Sequence, residues 1–141
     1  MPLIAMLLGV LMLAGGALAQ APAVLPEADR SAIRTVIEDQ MAAFQRDDGQ
    51  AAFAAASPMI QGMFETPERF LAMVRGLYPP VYRPRLVAFG AIVEIGGRLV
   101  QKVEIIGPDG AQVLALYTML RRAEGWYIDG VMLTASEKVA A

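Results

Sequence analysis

A single change of period divides this chain and limits what it can fold into. Before about residue 82 the apolar residues recur at helical spacing, and after it they alternate. From Asp29 onward, Ile33, Val36, Ile37, Met41 and Phe44 share one stripe, while Arg34, Glu38, Asp39 and Gln45 lie off it. Asp29 or Ser31 is placed to cap this helix. Arg46-Asp47-Asp48-Gly49 ends it, and Asp48 is placed to cap a shorter helix predicted over Gln50 to Ala56. Ser57-Pro58 and Thr66-Pro67 are both start signals, a hydroxyl before a proline in the first turn. The helix after Thr66 carries Phe70, Met73, Val74 and Leu77 on its inner side, and Tyr78-Pro79-Pro80 must stop it.

Strands are predicted beyond that point, from Tyr82 to Val93, Leu99 to Ile106, Gln112 to Arg122 and Trp126 to Thr134. Gly96-Gly97, Pro108-Asp109-Gly110 and Ala123-Glu124-Gly125 supply the turns. Tight hairpins make such a meander antiparallel, and the amphipathic helices are the available cover for one face. The expectation is an α+β domain in which N-terminal helices pack on a curved four-stranded sheet. A sheet wrapped around a long helix would form a cone with a ligand cavity inside.

The order of elements, with the closing Gly125-Trp126-Tyr127-Ile128-Asp129-Gly130, resembles the nuclear-transport-factor-2-like, or cystatin-like, superfamily. Four segments are similar to a bacterial family, domain of unknown function 4864. They are Ala43 to Asp48, Phe53 to Ile60, Met73 to Arg75 and Tyr78 to Pro84. That resemblance covers about residues 30 to 135 and implies no particular activity. The wider superfamily implies hydratases, isomerases, assembly subunits and binding domains, among which fold alone does not choose.

Histidine and cysteine are both absent. The usual neutral-pH base, thiolate nucleophiles and the usual zinc ligand sets go with them. Asp47-Asp48-Gly49 reads as a turn and cap rather than a calcium loop, which needs later ligands. No cofactor is expected. A net charge of −2 argues against nucleic acid as a partner.

Asp129 is the acid that most needs an explanation, since its strand is otherwise Trp, Tyr, Ile, Val, Met and Leu. Strict alternation groups it with Tyr127, Val131 and Leu133. If that face lines a cavity, burial raises its pKa and suits it to proton transfer. Arg83 and Arg85, which flank Pro84, and the hydroxyls of Tyr78, Tyr82 and Tyr117 complete the candidate ligand contacts. Each has a plainer reading, as core, seam or a solvated basic edge that discourages strand pairing. The leading expectation is a non-catalytic module that binds a small apolar or amphipathic molecule or a protein partner. The alternatives are a small isomerase or hydratase using Asp129 with a Tyr, and a structural subunit that pairs as a homodimer.

Residues 1 to 19, MPLIAMLLGVLMLAGGALA, hold no charged side chain and end on Ala17-Leu18-Ala19. Small residues three before and one before the Ala19/Gln20 bond are what a signal peptidase reads. A span needs roughly 20 apolar residues, and this run is shorter and glycine-broken. The expected organisation is a signal peptide over 1–19, a flexible arm over 20–28, one α+β domain over 29–135 and a tail over 136–141. The expected destination is the periplasm or the medium, with no membrane span left after cleavage. Mass spectrometry of the exported protein should return Gln20 as the first residue; a retained Met1 would contradict the leader.

Overall fold

The computed structural model describes residues 20–138; the expected signal peptide and residues 139–141 lie outside the described residues. The elements run β1 (Ala21–Pro22), α1 (Glu27–Gln45), α2 (Gly49–Ala54), α3 (Pro58–Phe64), α4 (Pro67–Leu77), α5 (Pro79–Tyr82), β2 (Leu86–Ile95), β3 (Arg98–Ile106), β4 (Gln112–Arg122) and β5 (Gly125–Ala135). The helices-then-strands order follows the change of period. The expectation of a four-stranded cone does not hold. The sheet has five strands in the simple order β1-β2-β3-β4-β5, every neighbour antiparallel, and it is open, with β1 at one edge and β5 at the other.

The fifth strand comes from the segment expected to be a flexible arm. Ala21 and Pro22 pair with Glu94 and Val93, and the Ala23 amide donates to the Ile92 carbonyl at 3.1 Å. Arg30 then donates to the Ala23 carbonyl at 2.8 Å, so Ala23 is only 5% exposed. Pro22 is tolerated because a proline on an edge strand interrupts no ladder. A second correction falls at the first hairpin strand. Pro79 and Pro80 sit in the first turn of α5, where a missing amide is harmless, and the strand starts only at Leu86.

The helix starts follow local chemistry. Asp48 Oδ1 accepts from the Ala51 amide at 3.0 Å, Ser57 Oγ from Ile60 at 3.4 Å and Thr66 Oγ1 from Arg69 at 3.2 Å. The exceptions are the one-turn α5 and α1, which starts at Glu27 behind Pro26 with no side-chain cap. Asp29 is turned to the sheet instead, accepting from Arg121 at 2.8 Å and from the Trp126 indole at 3.4 Å. Between β2 and β3, Gly96 and Gly97 have φ of 59° and 77°. A two-residue hairpin with both central residues in the left-handed region strongly favours glycine there.

The core lies between α1 and one face of the sheet. Ile33, Ile37 and Phe44 of α1 meet Val103, Ile105, Ala115 and Ile128 of the strands, all at most 2% exposed. Phe44 is its aromatic centre, with ring centroids 6.0 Å from Phe70 and 6.3 Å from Tyr82. Trp126 is only partly buried and packs against the rim of the core. Phe44→Ala should therefore cost about 3–5 kcal/mol in urea unfolding, and Trp126→Ala less. The reverse order would place the energetic centre at the sheet margin.

Candidate functional site

The last strand does not alternate simply. Its register with β4 runs from Thr118 opposite Gly130 to Met119 opposite Ile128, so Asp129 is an extra, bulged residue. The bulge moves the inward set. Trp126 and Ile128 face the core before it, and Val131 and Leu133 after it, while Met132 is 64% exposed. The expected grouping of Asp129 with Tyr127, Val131 and Leu133 is thus corrected.

The bulge is fastened on two sides. The Ser57 hydroxyl donates to Asp129 Oδ1 at 2.5 Å, and Arg98 forms an ion pair with Oδ2. The Ser57 amide donates to the Ile128 carbonyl at 2.8 Å, and the Ile128 amide to the Ala55 carbonyl at 2.9 Å. This closes the outer edge of β5 at Ile128 with a parallel bridge to Ala56. The Asp129 side chain is 8% exposed and that of Arg98 54%.

Beside this joint is a cavity of about 390 Å³. Gln40 and Phe44 of α1, Met59, Ile60, Met63 and Phe64 of α3, Phe70, Met73, Val74 and Leu77 of α4, Tyr78 and Val81 beyond it, and Ile128 to Val131 line it. Met59, Met63 and Leu77 are 56%, 66% and 71% exposed, and they mark its mouth. A shallower depression lined by Leu77, Tyr78, Val131, Met132 and Leu133 continues from it along β5. Polar side chains enter the wall at Gln40, Tyr78 and Asp129.

The other expected contacts lie elsewhere. Tyr82 and Arg83 gather at the end of α1. Arg83 donates to the Phe44 carbonyl at 2.5 Å and to both oxygens of Asp47 at 3.3 Å, and the Tyr82 hydroxyl donates to Asp47. Asp47 is exposed and has a φ of 56°, which a short polar side chain tolerates. The Tyr82 hydrogen bond, with the Arg83 charge beside it, holds the Asp47 carboxyl below its ordinary value. Arg85 is anchored through its amide to the Ile106 carbonyl at 2.8 Å, and its guanidinium lies near Gly110 of the β3–β4 turn. Tyr117 is fully buried in the core, and its hydroxyl has no hydrogen-bond partner among the described residues; burial pushes its pKa up.

Two site residues escaped the sequence reading. Arg98 is remote from Asp129 along the chain, and no local pattern joins them. Gln40 had a signal: it falls seven residues after Ile33 and four before Phe44, a polar residue on the apolar stripe.

Among the described residues no cluster of three His, Cys, Asp or Glu side chains is arranged to hold a metal ion, and no helix is long and apolar enough to cross a membrane. The chain matches the family described as Domain of unknown function (DUF4864) over residues 26–141. It belongs to that family. No curated protein and no solved structure matches this DUF4864 chain, so the wider superfamily expected from its order of elements gains no support from them.

The Asp47 cluster has a pH signature. Its folded pKa lies below the unfolded value, so its stabilisation is complete above the ordinary 3.8 and fades as pH falls through the folded value. Asp47→Asn should lower the urea midpoint at pH 7, and the two proteins should converge once the pH has fallen through the depressed folded value of Asp47. A gap unchanged across that range would show that the carboxylate charge plays no part.

Proposed function

We propose that this DUF4864 domain takes a small, largely apolar molecule into the cavity between α1, α3, α4 and β5 and acts on it as an acid–base site of the isomerase or hydratase kind. The observation that carries the reading is a carboxylate residue, Asp129, in the wall of a mainly apolar, open cavity that Tyr78 also lines. Ligand sites are commonly of this build, an apolar body with a few polar groups that fix orientation. Ser57 and Arg98 hold the carboxylate in one place, as a proton-transfer group requires. The Tyr82–Asp47 bond is a second carboxylate–tyrosine contact. It lies outside the cavity lining, so we assign it to fastening the end of α1.

One observation favours a passive binding module instead. Both Asp129 oxygens already have donors, an engagement that a structural joint also explains. A purely structural pairing subunit would suit a cavity filled by its own side chains, and this one is open. Export to the periplasm remains part of the proposal, on the strength of the leader.

Two measurements separate these readings. Met73→Trp, which plugs the cavity, should weaken binding of an apolar fluorescent probe about tenfold or more, with little change in thermal midpoint. Unchanged probe binding would remove the cavity as the site. NMR in D2O should show solvent deuterium entering a molecule that the cavity retains, and Asp129→Asn should stop it. Retention without exchange in the wild type would leave the binding module.

A further inference from the structure

The polar atoms of the cavity wall are unequal in kind. Gln40 is 3% exposed, and its Nε2 donates to the Ala52 carbonyl at 3.0 Å. A carbonyl only accepts, so the amide has a single orientation. No hydrogen bond among the described residues uses its oxygen, which is not sealed off as the Tyr117 hydroxyl is, and Gln40 lines the cavity, so the oxygen is an acceptor open to it. Asp129 contributes a second acceptor and Tyr78 a hydroxyl that does either. No Lys or Arg among the described residues lines the cavity. Arg98 is committed to Asp129, and Arg83 to Phe44 and Asp47.

A carboxylate or phosphate end would therefore enter beside acceptor oxygens with no cation to meet it, which is a costly burial. A hydroxyl or ammonium end would find its acceptors waiting. The Phe44, Phe64 and Phe70 rings in the same wall also favour a cation over an anion. Resting on the cavity reading above, we propose that the site selects an apolar molecule whose polar end donates hydrogen bonds and bears no negative charge, with the buried Gln40 amide oxygen as the selecting group. The sequence expectation counted Arg83 and Arg85 among the ligand contacts, and such cations would have welcomed an anionic end. Both lie outside the cavity lining, so neither is there to meet one.

The test uses the mature chain from Gln20 and three ligands of equal chain length, 1-decanol, decylamine and decanoate. Each competes with an apolar fluorescent probe at pH 7. Decanol and decylamine should displace the probe, and decanoate should need about tenfold more or worse, the worth of one hydrogen bond to a buried group. In Gln40→Leu the preference should shrink toward equality. Should that variant fail to fold, because the Ala52 carbonyl loses its donor, the wild-type panel alone still decides. Decanoate binding as well as decanol overturns this inference but leaves the cavity reading standing. Failure of all three to compete overturns both.

Discussion

The joint at Asp129 governs how the sheet meets the helices. An extra residue in β5 would leave a loose edge and exchange the faces of every residue after it. Here the exchange is used: Ile128 and Val131 both reach the core side although an odd number of positions apart. What makes the irregular register affordable is the carboxylate, which takes Ser57 on one oxygen and Arg98 on the other. Ser57 performs three tasks at once. Its hydroxyl caps α3, its proton goes to Asp129, and its amide closes the edge of β5. The place where α3 departs from the sheet is thereby fixed, and that departure opens the cavity.

The opposite wall depends on the end of α1. The last carbonyls of a helix need donors or water, and Arg83 supplies one to Phe44 from a segment 39 residues away. Asp47 in turn holds Arg83 and Tyr82, and the Arg83 guanidinium lies 4.0 Å from the Tyr82 ring centroid. This exposed cluster gains little from charge alone, since solvent screens it. Its contribution is geometric. It ties α5 to α1, and Val81 and Phe44, which flank the cluster in sequence, both line the cavity.

The readable parts of this chain were those whose physics is local. Ser57-Pro58, Thr66-Pro67 and Asp48-Gly49 announced three helix starts, because the capping oxygen and the amide it accepts from lie three residues apart. Gly96-Gly97 announced a turn for the same reason. Periodicity fixed β3 to β5 to within a residue or so at each end. The sequence did not disclose β1, since two residues carry no period and Pro22 argued for irregular chain; only β2 as a partner makes it a strand. It did not disclose the bulge, since Asp129-Gly130 looks the same whether alternation continues or breaks. The candidate site divided along the same line. Asp129 and Tyr78 reached the cavity, while Tyr82, Arg83, Arg85 and Tyr117 went to a helix end, a turn and the core. Those destinations depend on contacts between segments far apart in the chain.

In the proposed reading, Gln40 is a binding residue kept inside a structure that gains nothing from it by packing. The stripe that begins Ile33, Ile37 would be better filled at this position by another aliphatic residue, since a buried amide must find partners for both its ends. Its nitrogen does find one in Ala52, and that bond also holds α2 against α1. The oxygen has no such structural use. The same holds for the exposed methionines at the mouth, Met59 and Met63, which a domain selected for solubility alone would replace. Methionine is unbranched and adaptable, a side chain suited to covering an apolar guest of variable outline. A fixed acceptor at the wall and a pliable apolar rim at the entrance are complementary devices. If the cavity binds as proposed, the first discriminates by the chemistry of one end of the guest, and the second accepts a range of shapes for the remainder.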